Sequence, residues 1–351
     1  MSTRPRVLHV ARDWVRPSEG FVADVVRFSA TTEPSVAYGR RWPQRPAPEV
    51  PSTRVVGGAR LARAQLRLVV RRRRIHLLHS HFGYWAHLTA PVARATGRPW
   101  TVALHGHDAL VEGDPHGVLP SADLVVVPSR YLADAVARLG VREERLRVVP
   151  SGLDLTRLPY RERTARIDGT VVVTYAGRYV EKKGVLDAAR AMALARQEVP
   201  GLVVRFVGHG PQEAELRGLL AELDLPVELI DGSRPDAVHH ALEATDLLLT
   251  ASLCAPDGDA ETLGLVNLEG HALGAPVVTT RSGGIPEAVS PDAAVLVPEG
   301  DVGAMARAVV DLATTPDSWA ARGRAGRAHV EERFDVRDRV AELESLWLEL
   351  L

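Results

Sequence analysis

Lysine is nearly absent from this 351-residue chain: among 43 basic residues only Lys182 and Lys183 are lysines, and they are adjacent. Cysteine is reduced to one, Cys254, which excludes an internal disulfide and fits a reducing compartment. Neither sign of charge prevails. With 43 basic and 44 acidic residues the formal net charge is −1, so no overall field draws the protein to nucleic acid, and no nucleic-acid partner is expected. No apolar run is long enough to cross a bilayer, and the one in "MSTRPRVLHVARDW" is too short for a signal peptide, so a cytoplasmic location is expected. "RVLHVARDW" lacks the G-x-G-x-x-G turn after its strand-like run, which counts against an NAD-dependent enzyme. In "IHLLHSHF" strand alternation would put His79 and His81 on one face, but no Cys or third acid follows at ligand spacing, so no metal site is expected.

What is present is a regular alternation of apolar runs and helical periodicity, the mark of doubly wound α/β domains with parallel sheets. In the first half the runs are 6–11, 75–80, 100–105, 123–129 and 146–150; in the second they are 170–177, 202–210, 227–232, 246–252, 276–280 and 294–298. Between the two series, "SGLDLTRLPYRERTARIDG" (151–169) breaks the periodicity with Gly, Pro and charge and reads as a linker. The chain therefore divides into two Rossmann-like domains, 1–155 and 156–334, with an amphipathic final segment, 335–351, expected to pack back on the first. Ligands bind such sheets at the carboxyl ends of their strands.

Two stretches at strand ends carry the chemistry. "TYAGRYVEKKGV" (174–185) is a strand, a glycine turn, a basic loop and a helix start near Gly184. A helix start attracts anions through its unpaired N–H groups. Arg178 adds a planar fork for two phosphate oxygens and lysine a compact, mobile charge. A solvated basic turn would have the same composition, and the confinement of lysine to this turn is what singles it out. "APDGDAETLGLVNLEGHALGAPVVTT" (255–280) carries Glu261 and Glu269 on either side of Gly264. Glu261 is expected on a loop and Glu269 about one turn inside a helix starting near Gly264. Carboxylates beside a phosphate-receiving helix tip are acceptors for ribose or sugar hydroxyls.

"GRYVEKKG", "VGHGP", "ETLGLVNLEGHALGAPVV" and "SGGIPE" together resemble the retaining nucleotide-sugar glycosyltransferases of family 4. Their GT-B fold has two Rossmann-like domains facing across a deep cleft. "PSEGFVADVV" (17–26), "HSHFGYWAHLTAPVA" (79–93) and "LHGHD" (104–108) are similar to the exopolysaccharide, colanic-acid-type branch, and "VPSGLD" (149–154) to the element at the family's domain junction. The resemblance implies that Arg178 and Lys183 bind the donor diphosphate, with the Gly264 and Leu265 amides facing the sugar or its phosphate. It implies that Glu269 holds the ribose, and that Glu261 and His105 act at the donor sugar. Gly20 falls where relatives have a glycine turn near the diphosphate, although this chain has "SEG" there. Asp108, Asp259 and Thr262 fall on the sugar or acceptor side.

The implied reaction is transfer of a hexose-type sugar, with retention, from a nucleoside diphosphate to a hydroxyl acceptor. Basic groups would stabilise the leaving diphosphate, without a metal or other cofactor. The acceptor would be a sugar, a lipid-linked oligosaccharide or a small molecule. "DGSRPDAV" (231–238) is expected near the base. The basic, partly amphipathic stretch 59–76 offers peripheral contact with anionic lipid at the inner face of the membrane, or is simply a solvated face. Three other readings stay open: a transferase acting on a natural-product aglycone, a sugar-nucleotide 2-epimerase of the same fold, and a non-catalytic component.

Overall fold

A computed structural model describes residues 4–16, 19–42, 46–234 and 236–351. Pro17 and Ser18 of the turn before Gly20, and Pro235 within 231–238, lie outside the described residues. The chain forms two compact units: Met1–Gly152 together with Val336–Leu351, and Leu153–Asp335.

The first unit runs β1 (Arg6–Trp14), α1 (Gly20–Phe28), β2 (Glu33–Arg41), β3 (Ser52–Arg54), α2 (Ala59–Arg72), β4 (Leu77–His81), α3 (Ala86–Thr96), β5 (Trp100–Ala103), α4 (His107–Leu110), β6 (Leu124–Val127), α5 (Arg130–Ala137) and β7 (Leu146–Val148). Its seven strands lie in the order β3-β2-β1-β4-β5-β6-β7, with every pairing parallel. The sheet is covered on both faces, so β4, β5 and β6 are buried at every residue, as parallel strands between helix layers must be. The strands β2 and β3 do not announce themselves as apolar runs. They are the outermost on their side, and only Ser35, Val36 and Ala37 of "EPSVAYGRR" are buried in β2.

The second unit runs β8 (Val171–Ala176), α6 (Val185–Glu198), β9 (Leu202–Gly208), α7 (Glu213–Glu222), β10 (Val227–Asp231), α8 (Ala237–Glu243), β11 (Leu247–Leu249), α9 (Leu265–Ala272), β12 (Val277–Thr280), α10 (Ile285–Ala288), β13 (Ala294–Val297), α11 (Val302–Ala313) and α12 (Trp319–Arg333). Its six parallel strands have the order β10-β9-β8-β11-β12-β13. The segment read as a linker is instead a wall of this unit. Leu153, Leu155 and Leu158 are buried in its core, and Arg163, only 4% exposed, donates to the carbonyls of Leu242, Glu243 and Leu273. Gly and Pro interrupt the helical and strand periods there, but buried leucines at 153, 155 and 158 supply the apolar surface that fixes the path.

The last helix, α13 (Val336–Leu348), belongs to the first unit. Its Trp347 is fully buried with its ring 4.9 Å from that of His79 and 5.6 Å from that of His9. Its Glu344 accepts from the backbone amides of Ala30, Thr31 and Thr32 at 2.9–3.0 Å and from the Thr32 hydroxyl at 2.6 Å.

Candidate functional site

In the second sheet the strand order reverses between β8 and β11, so the loops that follow these two strands emerge side by side at their carboxyl ends. The first loop, after Ala176, carries Arg178, Lys182 and Lys183; the second, after Leu249, carries Asp259 and Glu261 and leads into α9. Backbone contacts lock them together. The Leu253 amide donates to the Lys182 carbonyl at 2.9 Å. Gly184, at φ +59°, packs so closely that a Cβ there would stand 1.9 Å from the Ala251 carbonyl oxygen, so only glycine fits.

The side chains meet as two adjacent ion pairs. Lys183 Nζ donates to Glu261 Oε2, and Lys182 Nζ to Asp259 Oδ1 at 2.9 Å with the Ala260 carbonyl oxygen at 3.5 Å. All four side chains are only 12–17% exposed, so water screens these pairs poorly. Burial pushes the Glu261 carboxyl up, but Lys183, Lys182 and Arg178 together outweigh it and bring it down to about 2. Arg178 is exposed, and its guanidinium has no side-chain partner among the described residues. The Glu261 carbonyl accepts from the Gly284 amide at 2.8 Å, and Gly283, at φ +51°, passes it so closely that a Cβ would lie 1.9 Å from that oxygen.

Behind this group α9 starts at Leu265, with Gly264 at its N-cap. Buried Asn267 and the hydroxyls of Thr250 and Thr279 form a closed hydrogen-bonded set that fixes the start of the helix against β12. Thr262 is buried. Glu269, on the fifth residue of α9, has Oε1 3.5 Å from His239 Nε2 of α8, and its hydrogen bond and charge raise the His239 imidazole above its ordinary value against the pull of burial.

The remaining expected residues stand in the first unit. Gly20 opens α1. His105, two residues beyond β5, has its ring 4.7 Å from Phe21 and 4.5 Å from Phe82, and burial pushes it down to about 3, keeping it neutral. Asp108 is fully buried and accepts from the amides of Gly83, His105 and Gly106 at 2.9–3.0 Å, fixing the backbone that carries His105. At the carboxyl ends of β1 and β2, Asp13 accepts from Trp42 Nε1 at 3.0 Å and pairs with Arg12 and Arg40 at 3.2 Å. Arg12 lies 3.8 Å over the Tyr84 ring and Arg40 4.0 Å over that of Trp42.

Arg178, Lys183, Asp259 and Glu261 are thus one group, Glu269 is on the helix that the group leads into, and Gly20, His105 and Asp108 belong to the other unit. Sequence reasoning missed the Lys182–Asp259 pair, His239 and the role of Gly283; it also missed the Trp42–Asp13 group. The signal for the first was available, since both lysines of the chain face an acidic loop spaced at alternate residues. Among the described residues no group of three or more His, Cys, Asp or Glu is arranged to hold a metal, and no helix is long and apolar enough to cross a membrane. His9 and His81 instead bond to each other, Nδ1 to Nε2, at 3.0 Å.

Two reversing parallel sheets with a basic loop and an acid-bearing helix tip at the second switch point define a nucleotide-sugar transferase architecture. Family models agree: glycosyltransferase family 4 matches residues 6–157 and glycosyl transferases group 1 matches 157–329. A GDP-mannose-dependent alpha-(1-6)-phosphatidylinositol monomannoside mannosyltransferase of Mycolicibacterium smegmatis is 30% identical, covering 93% of this chain and 92% of that protein. A putative colanic acid biosynthesis glycosyltransferase of Escherichia coli K12 is 32% identical, over 64% of this chain and 56% of that protein. Among solved structures, Anabaena HepE in complex with UDP and glucose superposes with TM-score 0.78 at 18% identity, covering 99% of this chain and 100% of that one. The sucrose-phosphate synthase of Thermosynechococcus elongatus gives TM-score 0.78 at 19% identity, covering 99% of each chain. The chain belongs to the GT-B-fold glycosyltransferases of family 4.

Proposed function

We propose that the protein transfers a hexose-type sugar, with retention, from a nucleoside diphosphate to a hydroxyl acceptor in exopolysaccharide or related glycoconjugate synthesis. The observation that carries this reading is the convergence of Arg178, Lys183, Glu261 and the α9 N-terminus on the two loops at the β8/β11 switch point. A diphosphate would take the open Arg178 fork and draw Lys183 off Glu261, leaving that carboxylate ionised for the sugar hydroxyls. Glu269 would accept from the ribose. As the anomeric C–O bond breaks, its electron pair leaves with the diphosphate, where Arg178, Lys183 and helix-tip amides stabilise the charge. The acceptor oxygen bonds the anomeric carbon from the same face, and its proton passes to the departing phosphate. His105, kept neutral by burial, would serve the donor sugar as a hydrogen-bonding group.

Acceptor binding is assigned to the first unit, where Asp13, Arg12 and Arg40 stand among the Trp42 and Tyr84 rings at the carboxyl ends of β1 and β2. The kinship with a phosphatidylinositol monomannoside mannosyltransferase supports a lipid-linked acceptor. The exposed face of α2 does so too, carrying Leu61 and Leu68 with Arg60, Arg67 and Arg71. Flotation with anionic vesicles tests the last point, and binding that survives neutralisation of Arg67 and Arg71 would refute it.

The donor reading is tested by thermal shift against UDP- and GDP-sugars. Arg178→Ala and Lys183→Ala should each weaken the nucleoside diphosphate by about tenfold or more, corresponding to ~1.4 kcal/mol or more, and leave the free nucleoside unchanged. Equal losses on both ligands would refute the phosphate assignment.

A further inference from the structure

The two lysines have identical chemistry but different partners: Glu261, expected at the donor sugar, and Asp259, expected more broadly on the sugar or acceptor side. Lys183 holds Glu261, whereas Lys182 holds Asp259 and lies beside the carbonyl of Ala260, the residue immediately before Glu261. The Lys182 backbone is tied to the same loop from its other end, through the Leu253 amide. The loop is closed on itself between these points. The Ala255 amide donates to the Asp259 carbonyl at 2.9 Å, the Gly258 amide to the Ala255 carbonyl at 2.9 Å, and the Asp259 amide to Asp257 Oδ1 at 2.9 Å. Asp259 is therefore the point at which one ammonium grips a preformed turn, two residues upstream of Glu261.

We propose that Lys182 is a positioning residue that keeps the Glu261 loop in register while Lys183 is drawn away to the donor diphosphate. This rests on the donor-site reading above. When a diphosphate captures Lys183, Glu261 loses its direct partner and becomes a part-buried carboxylate that would move toward the retreating ammonium or toward water. Three restraints remain on it: the Gly284 amide on its own carbonyl, the Lys182 ammonium on Asp259, and the charge of Lys182 itself, which favours the ionised carboxylate. The two ammonium groups thus divide the work. One exchanges partners during binding and the other does not. Lysine suits both, since a compact ammonium meets Asp259 Oδ1 and the Ala260 carbonyl together at 182 and can change partners on its flexible stem at 183.

The test separates sugar-dependent from diphosphate-dependent binding. Calorimetry is run with UDP and UDP-glucose, and with GDP and GDP-mannose, on wild type, Lys182→Met, Asp259→Asn, the double variant, Lys182→Arg and Lys183→Met. Hydrogen exchange of residues 253–263 and donor hydrolysis are followed in parallel. Lys182→Met should leave the affinity for the nucleoside diphosphate within about threefold, while the nucleotide sugar loses at least about tenfold and donor hydrolysis falls mainly in kcat. Exchange in 253–263 should rise with the diphosphate bound. Asp259→Asn should do the same, the double variant should add little to either, and Lys182→Arg should restore part of the loss. Lys183→Met should instead lose the diphosphate itself.

If Lys182→Met weakens the diphosphate as much as Lys183→Met does, Lys182 is a phosphate ligand and the positioning role is wrong. It is equally wrong if Lys182→Met binds both ligands and hydrolyses donor as wild type does, or if the effects of Lys182→Met and Asp259→Asn simply add. Should neither nucleotide pair bind the wild-type protein, the donor reading itself fails, an outcome distinct from all of these.

Discussion

At the scale of single residues, the site is governed by how few positive charges stand inside it. Glu261 is largely buried, which alone would raise its carboxyl, yet two ammonium groups and Arg178 bring it to about 2. Because the folded value lies below the ordinary 4.5, the ionised carboxylate stabilises the fold at all pH above that value. The contribution, on the order of 3 kcal/mol, is lost as pH falls through about 2. The pH profile of donor hydrolysis should therefore show no acid limb from Glu261 above pH 4. In Lys183→Met the largest of the three opposing charges is gone while Lys182 and Arg178 remain, so the limb should shift upward in pH relative to wild type. An unchanged profile in that variant would mean that Lys183 does not set the ionisation of Glu261. Removing one member of such a pair should also cost about 3–5 kcal/mol of stability, since it leaves a buried charge without its partner.

At the scale of elements, what holds the site is backbone geometry at a few points. Gly283 is one. An added Cβ would meet the Glu261 carbonyl oxygen at 1.9 Å, and the positive φ disfavours any other residue. Gly283→Ala should displace Glu261 and lower donor hydrolysis by at least about a hundredfold. Nucleoside diphosphate affinity, carried by Arg178 and Lys183, should fall far less, and comparing the two by kinetics and calorimetry checks the claim. The six strands of the second unit were legible because each is a short apolar run between helical stretches, and the start of α9 was legible from Gly264. The strands β2 and β3 were not, because an outer strand buried at three residues carries no apolar run. The adjacent pair Lys182 and Lys183 was visible as a basic turn. That one of them reaches Asp259 was not, because their separation in sequence, 77 residues, is closed only by the β8–β11 pairing. The glutamate Glu344 was hidden in the same way. It reads as one acid of an amphipathic helix, yet it receives three amides of the α1–β2 turn.

At the scale of the whole molecule, the two units share an architecture but differ in how they respond to acid. The first contains His9, His79, His81 and His105, all held neutral by burial, with His9 and His105 at about 3. The unfolded chain takes up protons near 6.5 and the folded unit does not. Its stability is therefore full above that pH and falls as pH drops toward 3, by up to about 1.4 kcal/mol per histidine per pH unit. The second unit has His271 and His329 lowered in the same way, but His239, raised by Glu269, contributes with the opposite sign and is most stabilising below 6.5. Between pH 6.5 and 4.5 the first unit should weaken faster. Hydrogen exchange, corrected for intrinsic rates, should show β1 and β4 losing protection before β8 and β11, and equal loss would contradict the histidine account. The most direct test of the central claim is a crystal structure of the protein with a nucleoside diphosphate. The β-phosphate oxygens should lie within about 3.2 Å of Arg178 and Lys183, with Lys183 withdrawn from Glu261 and Lys182 still on Asp259. A diphosphate bound away from the β8 and β11 loops, with the Lys183–Glu261 pair intact, would contradict it.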